Sequence, residues 1–527
     1  MADFSEPILF LYGPPGSGKT STGRHLARAL NLPFIDLDYE ITLQAKQSIP
    51  DIFANEKESG FRKRESAALN DAITRGPAVI ALGGGALLDP HNRAAVEQHG
   101  IVICLTASRD VLAERVRKLE GTRPLLGKAA DLENRLGALL AARAEHYASF
   151  SEQIDTQALS PEQSAWKIQV QLGMFFVTGM GKGYDVRVTP GSLARLGDLM
   201  KTHHLGGPVA LVCDEHVGLL HADQAVRSLS NSGYSVVRVS LPAGEATKSL
   251  ASSARLWEEF LRAGLERGST VVALGGGVIT DLTGFAASAY LRGVKWVSVP
   301  TSLLGMIDAS LGGKTAIDLP QGKNLIGAFH PPALVLADPE ILHTLPEAEL
   351  RNGLAEVLKH GVLRDPGLFD ICARGWDALQ SEDWNALVRR AMAVKVQYIL
   401  NDPYEQGERA ALNLGHTIGH AVEQASGFGL RHGEAVSIGM VAAARLAVRA
   451  GMAENGLVDQ IRGALVGLGL PVSMPLEMDV NQVLALTHND KKKRGGQLRF
   501  VLPVKIGEVC YGIPLDLDAQ SLREVTQ

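Results

Sequence analysis

Three groups of residues in this chain have the types and spacing to do chemistry. The first is Gly13–Thr20, GPPGSGKT, a G-x-x-x-x-G-K-T pattern set directly after the apolar run ILFLY. Between a strand and a helix such a loop turns its N–H groups onto phosphates, with the helix N-terminus behind them. Gly16, Ser17, Gly18, Lys19, Thr20 and Ser21 form that cradle; Lys19 neutralises phosphate and Thr20 offers its hydroxyl to Mg²⁺. Asp36 and Asp38 follow in FIDLDYEI, then Arg62 in FRKRES, Gly83–Gly85, Arg123 in TRPLL and Arg143 in AARAEHY. Each charge alone reads more simply as part of a solvated helix face.

The second group is Leu412–Val436, which holds His416, His420 and His432. His416 and His420 are four apart and share a helix face, as a metal pair or as a polar stripe; the glutamate of an HExxH motif is missing. Upstream, Glu356 in LAEVLKHG adds a carboxylate, with Lys359 and His360 one turn on. One carboxylate and two imidazoles make a common catalytic zinc set with a position left open. The third group begins at GGGVITD, Gly275–Asp281, and continues through Arg292, Asp308, Lys314, Lys323, Asn324, Lys395, Arg409 and Asn413. GGKT and GKN place their lysines in uncharged, glycine-rich surroundings, which suits a pocket for a multiply charged anion such as a phosphorylated acid.

Elements must hold these groups. Up to about residue 150, short apolar runs (ILFLY, LPFIDLD, AVIALGG, IVICLTA) alternate with amphipathic helical segments, which predicts a parallel sheet. Lys19 and Asp38 are expected at the ends of neighbouring strands. The polar stretch SFSEQIDTQALSPEQSAW, with Pro161 inside it, reads as a domain end and linker. A second alternation starts near Phe175 with VALVCD, YSVVRVSL, TVVALGG and WVSVP, and past Pro339 the pattern turns helical, as in Glu347–Leu363 and Leu387–Leu400. ALGGG occurs in both halves, but the likeness ends there, so it marks two independent uses of glycine rather than a duplication.

At 527 residues several domains are implied, and 46% hydrophobic with 21% charged residues fits folded domains without a low-complexity tract. A net charge of -5 argues against nucleic acid as partner. The four cysteines form no CxxC pair, which suits a reducing cytoplasm. The N-terminus lacks a basic signal region and the small-residue run Ala435–Val448 is broken by Arg445, so neither a signal peptide nor a membrane span is expected.

KTSTGR, the D-x-D, FR-x-x-E, GGG and RPLL together resemble shikimate kinase over residues 7–150. The resemblance implies ATP and Mg²⁺ at the loop, Asp38 accepting or orienting a shikimate hydroxyl proton, and Arg62 and Arg143 on the substrate carboxylate. Gly84 would line that pocket, Arg123 would sit in a lid, and Asp36 would help hold Mg²⁺ through water. From Phe175 to Leu502, GEATKS, GGGVITDLTGFAA, PTSLLGMIDASLGGKTAID, GKNLIGAFHPP, LAEVLKHG, NLGHTIGHA and LRHGEAV resemble 3-dehydroquinate synthase. That resemblance implies zinc, or cobalt, on Glu356, His416 and His432, with His420 as base or phosphate partner. It implies NAD against Asp214, Glu245, Lys248, Gly276, Gly277, Asp281, Thr301, Ser302, Leu342 and Thr344, with Lys314 and Lys323 within reach. Substrate would meet Arg292, Asp308, Lys314, Lys323, Asn324, Lys359, Lys395, Arg409 and Asn413, and a lysine of HNDKKKRGG such as Lys491. Of these, Lys314, Lys359 and Arg409 would be catalytic. His216 and Ser302 depart from residues frequent in the family.

The expected architecture is therefore a P-loop kinase domain with a parallel sheet (1–155), a linker (156–174), a Rossmann-like NAD-binding α/β part (175–338) and an all-helical metal-binding part (339–527). The expected substrates are shikimate and a heptulosonate phosphate, and a homodimer through the synthase half is expected. The alternatives are a metal-dependent polyol dehydrogenase for the second half and a non-catalytic nucleotide-binding module for the first.

Overall fold

The computed structural model describes residues 7–118, 132–489 and 498–527, so Arg123 and Lys491 lie outside the described residues. The chain divides into two compact units, Met1–Phe176 and Val177–Gln527.

In the first unit β1 (Ile8–Tyr12), β2 (Phe34–Asp36), β3 (Val79–Ala81), β4 (Gly100–Thr106) and β5 (Glu152–Asp155) form a parallel sheet in the order β2-β3-β1-β4-β5. Every residue of β1 and β3 is buried, as expected for central strands covered by helices on both faces. The phosphate-loop strand and the Asp36–Asp38 strand are not neighbours, which corrects the expectation for Lys19 and Asp38. The connection through the helix Lys19–Ala29 skips one position, and β3 fills it. The glycines that follow β3 consequently emerge between the loop and Asp38.

The segment taken for a linker is also corrected, because Pro161–Leu172 is a helix. Ser160 accepts from Gln163 N at 3.1 Å and Gln163 Oε1 accepts from Ser160 N at 2.8 Å, a reciprocal cap with Pro161 in the first turn. Polarity and proline here signal a helix start. Ala165, Ile168 and Leu172 are buried in one core with Leu26, Ala27 and Leu30 of the helix Lys19–Ala29.

Strand β6 (Met174–Val177) spans the division between the units. In the second unit β7 (Tyr184–Val188), β8 (Gly206–Asp214), β9 (Val236–Leu241), β10 (Ser269–Gly275) and β11 (Lys295–Pro300) are followed by an antiparallel hairpin of β12 (Lys314–Leu319) and β13 (Gly322–Phe329), then β14 (Leu334–Ala337). Six of these strands run parallel in the order β7-β14-β11-β10-β8-β9. The hairpin stands apart from that sheet and carries Lys314, Lys323 and Asn324. Beyond it come helices, among them Glu347–Leu363, Trp384–Asn401, His416–Ala425 and His432–Arg449, with one hairpin of β15 (Arg499–Lys505) and β16 (Glu508–Pro514). The four cysteines are free, and no helix among the described residues is long and apolar enough to cross a membrane.

Candidate functional site

Each unit gathers its own set of candidate residues. In the first, Gly18 caps the helix Lys19–Ala29 in the left-handed region (φ 92), a conformation that glycine adopts without steric cost. Lys19 Nζ donates to the loop's own carbonyls, Gly13 O at 2.8 Å and Pro14 O at 3.0 Å, and so closes over the cradle. Thr20 Oγ1 donates to Asp36 Oδ2 at 2.7 Å, while Asp36 Oδ1 accepts from Tyr39 N and caps the helix Leu37–Ala45. A hydroxyl and a carboxylate that already meet are a fitting pair for a cation carrying phosphates.

The glycines after β3 are required by their neighbours. A Cβ on Gly83 would lie 2.5 Å from Glu65 Oε1 and 3.4 Å from Asp38 Oδ1, and one on Gly85 would lie 2.7 Å from an Arg62 guanidinium nitrogen. Arg62 donates to Glu65 Oε2 at 2.5 Å. Burial pushes the Glu65 carboxyl up, against the lowering effect of Arg62. The Gly84 carbonyl accepts from Arg143 at 2.9 Å, Tyr147 Oη at 2.8 Å and Tyr12 Oη at 3.3 Å. Asp38, Arg62, Gly84 and Arg143 are thus brought together around one strand end. Glu65, Tyr12 and Tyr147 were not singled out from sequence; the FR-x-x-E pattern held the signal for Glu65, but nothing in the sequence marked the tyrosines.

In the second unit the centre is Glu356, fully buried on the helix Glu347–Leu363. Its Oε1 lies 3.6 Å from His416 Nε2 and 3.5 Å from His432 Nε2, and the three side chains offer ligand atoms all within 4.8 Å of one another. Close helix approach creates this cluster. A Cβ on Gly415 or Gly419 would press on Val436 O at 2.8 Å or Ala435 O at 3.0 Å, and Gly433 N donates to Asn352 Oδ1 at 2.6 Å beside the Glu356 helix. Buried Glu356 Oε1 has no hydrogen-bond partner, as expected of an oxygen reserved for a cation. Burial pushes the Glu356 carboxyl up, but Lys359, ion-paired to it, and His432 outweigh burial and hold it well below the ordinary range. A second trio, Asp308, Glu356 and His360, also falls within ligand range, yet Lys395 already holds Asp308 at 2.5 Å. The site with two imidazoles therefore fits zinc or cobalt better.

Around this centre sit buried cations. Lys359 Nζ donates to Leu412 O at 2.7 Å, and Lys395 Nζ donates to Asp308 O at 2.6 Å as well as to its carboxylate. Burial pulls Lys395 and Arg409 below their ordinary values. Lys314 pairs with Glu405, which also accepts from Asn413 at 3.0 Å. Lys323 donates to Glu423 at 2.9 Å and lies 3.8 Å from Glu245. His420 stacks edge-on with His416, ring centres 5.0 Å apart. Arg292 is exposed on the turn Tyr290–Arg292, and among the described residues no ion pair joins it to this cluster.

The dinucleotide candidates lie at the carboxyl ends of the strands. Gly276 caps the helix Gly277–Ala289 after β10, and a Cβ there would meet Ser302 Oγ at 3.3 Å. Thr301 N donates to Gly275 O at 3.0 Å, and Asp214 ends β8, accepting from His216 and Val217 N–H. Lys248 Nζ donates to Asp281 Oδ2 at 2.6 Å and to Asn324 Oδ1, and Thr344 Oγ1 lies 2.9 Å from His221 Nε2, two residues past Leu342. The open helix N-terminus at Gly276 fits a pyrophosphate. Glu405 and Glu423 escaped the sequence reading, since a lone carboxylate carries no pattern, and His360 was noted there only as a neighbour of Glu356. His360 is fully buried with neither ring nitrogen hydrogen-bonded, and burial pushes it down to about 4.

Comparison with known proteins gives the same two-part division. A family model described as shikimate kinase matches residues 15–172, and models described as 3-dehydroquinate synthase N-terminal and C-terminal match 238–352 and 353–493. The chain is 44% identical over 332 residues to 3-dehydroquinate synthase of Synechocystis sp., covering 62% of this chain and 92% of that relative. Among solved structures, 2-epi-5-epi-valiolone synthase from Streptomyces hygroscopicus, with NAD⁺ and Zn²⁺ bound, is 30% identical over 65% of this chain and 95% of its own, at a TM-score of 0.59. Shikimate kinase from Acinetobacter baumannii is 38% identical over 32% of this chain and 93% of its own, at a TM-score of 0.30.

Proposed function

This chain belongs to the shikimate kinase family through its first unit and to the 3-dehydroquinate synthase family through its second, and from that premise we propose a bifunctional enzyme of chorismate biosynthesis. One unit phosphorylates shikimate with ATP. The other converts 3-deoxy-D-arabino-heptulosonate 7-phosphate to 3-dehydroquinate and phosphate. The enzyme works in the cytoplasm as a homodimer through the second unit; a monomer mass by sedimentation at working concentration would overturn the dimer.

In the kinase unit, bound ATP with Mg²⁺ supplies the phosphoryl group. Lys19 exchanges its two loop carbonyls for phosphate oxygens, the Gly16–Ser21 backbone cradles them, and Thr20 with Asp36 holds the cation. Arg62 and Arg143 fork the shikimate carboxylate beside Gly84, and Asp38 takes the hydroxyl proton. Phosphoryl transfer needs mainly this positioning and charge neutralisation.

In the synthase unit, bound NAD⁺ supplies a transient hydride acceptor without net consumption, and bound zinc or cobalt polarises substrate hydroxyls. Glu356, His416 and His432 hold the metal. Asp214, Glu245, Lys248, Gly276, Gly277, Asp281, Thr301, Ser302, Leu342 and Thr344 hold the dinucleotide. Lys314, Lys323 and Arg409, with Arg292 and Lys491, neutralise the substrate's phosphate and carboxylate, and the Asn324 and Asn413 amides hydrogen-bond to it. Lys359, Lys395 and Asp308 orient its hydroxyls, and His420 moves a proton.

The observation that carries this reading is the Glu356 carboxylate facing two imidazole nitrogens while buried cations surround it. That set suits an anionic polyol rather than the neutral polyol of a dehydrogenase. Incubation with the heptulosonate phosphate, catalytic NAD⁺ and zinc should release inorganic phosphate, be abolished by chelator and accumulate no NADH. NADH formed from a neutral polyol, with no phosphate released, would move this unit to a dehydrogenase. ADP formation dependent on shikimate tests the first unit, and its absence would reduce that unit to a nucleotide-binding module.

A further inference from the structure

The two candidate metal histidines present the same ring nitrogen to Glu356, and each has its other nitrogen held. His416 Nδ1 lies 3.0 Å from Leu414 O, a backbone carbonyl two residues before it on the same chain segment. A carbonyl only accepts, so Nδ1 carries the proton and Nε2, which faces Glu356 at 3.6 Å, presents its lone pair on the metal side. His432 opens its helix, and its Nδ1 instead faces the side chain of Glu423, with Oε2 at 3.4 Å. Glu423 is buried on the helix His416–Ala425, one turn beyond His420, and its other oxygen, Oε1, accepts from Lys323 Nζ at 2.9 Å. Lys323 belongs to the hairpin strand β13, and its ammonium also lies 4.4 Å from the centre of the Phe428 ring. One carboxylate thus spans from a metal histidine to the hairpin that bears candidate substrate and nucleotide residues.

We propose that Glu423 is a positioning residue for the metal centre: it fixes His432 in the tautomer that leaves Nε2 free, and through its second oxygen ties Lys323, and with it the hairpin, to that centre. The inference rests on the proposed metal site. A carboxylate behind a ligating imidazole orients the ring and raises its basicity, and loss of such a partner lowers metal affinity about 10- to 100-fold. A backbone carbonyl faces Nδ1 of His416, whereas Nδ1 of His432 faces the Glu423 side chain, which a substitution can remove.

The test is zinc affinity of the full chain, by competition with a chromogenic chelator, for wild type, Glu423→Ala and Glu423→Gln, with thermal midpoints of the zinc-free proteins beside it. Glu423→Ala should weaken zinc about 10- to 100-fold. Glu423→Gln should weaken it less, because the amide oxygen still accepts from Nδ1–H without a full charge, and this ordering is one that a merely structural lesion would not produce. The tie to Lys323 is read separately as NAD⁺ affinity measured with and without zinc. In wild type zinc should tighten NAD⁺, and in Glu423→Ala that difference should vanish. Zinc affinities for both variants equal to wild type would overturn the proposal; if Glu423→Ala does not fold, an unchanged Glu423→Gln affinity does so alone. Wild type that binds no zinc would instead refute the metal site itself.

Discussion

Replacing Gly83 with alanine tests the reading of the first unit with the second as internal control. The backbone at Gly83 is not left-handed, so alanine costs nothing there in φ, and the whole effect comes from the added methyl. That methyl would sit 2.5 Å from Glu65 Oε1, where ordinary contact begins at 3.4 Å, so the carboxylate must retreat by nearly an ångström. Glu65 has little room to do so: its side chain is 1% exposed and its other oxygen is bonded to Arg62 at 2.5 Å. Retreat breaks or lengthens that bond and turns Arg62 away from the pocket it shares with Arg143 and Asp38. A hydrogen bond between charged groups contributes about 1.5–3 kcal/mol, so kinase kcat/KM for shikimate should fall about 10- to 100-fold, chiefly through KM. The assay is ADP formation against shikimate concentration, with phosphate release from the heptulosonate phosphate measured on the same preparation. Kinase kcat/KM within about threefold of wild type, or an equal loss in both activities, would refute the reasoning.

Lys19→Met should lower kinase kcat by about 100-fold or more, because the phosphate oxygens lose their charged donor, and should leave phosphate release by the second unit unchanged. Lys359→Met leaves Glu356 buried without its cation; urea unfolding of the chelator-treated protein should show a loss of about 3–5 kcal/mol in the second unit. Ser160→Ala removes the reciprocal cap, and the first unit should lose about 0.5–2 kcal/mol in the same experiment. His360, held neutral by burial down to about 4, binds its proton at higher pH in the unfolded chain, at about 6.5, than in the folded one. Its contribution is therefore present above pH 6.5 and lost as pH falls from there toward 4, and the thermal midpoint should drop less steeply over that window in His360→Gln.

Much of this protein could be read in one dimension because the relevant physics is local. The phosphate loop needs closely spaced glycines and a helix start, all within eight residues, and Gly13–Thr20 declares both. The burial of β1 and β3, the run of parallel strands and the helix Glu347–Leu363 follow from apolar runs and period, which are properties of neighbours in sequence. The candidate metal residues were legible as types, a carboxylate and imidazoles, but the pair four apart, His416 and His420, is not the one that meets Glu356: that His432 joins His416 rested on family resemblance until the helices were packed. Where local signals have two meanings the sequence misled: Ser-Pro-Glu-Gln reads as a loop by composition and as a helix cap by geometry, and only packing of Ile168 and Leu172 against the helix Lys19–Ala29 decides for the helix. Strand order lay beyond the sequence altogether, because any connection long enough to form a helix can reach the adjacent position or the next. Tertiary structure alone inserted β3 between the phosphate loop and Asp38. It alone set Glu65 beneath Gly83, Glu405 against Lys314, and Glu423 between His432 and Lys323. Those partners lie up to about a hundred residues away along the chain; a carboxylate has no periodicity of its own, and its role exists only once folding has chosen what it faces.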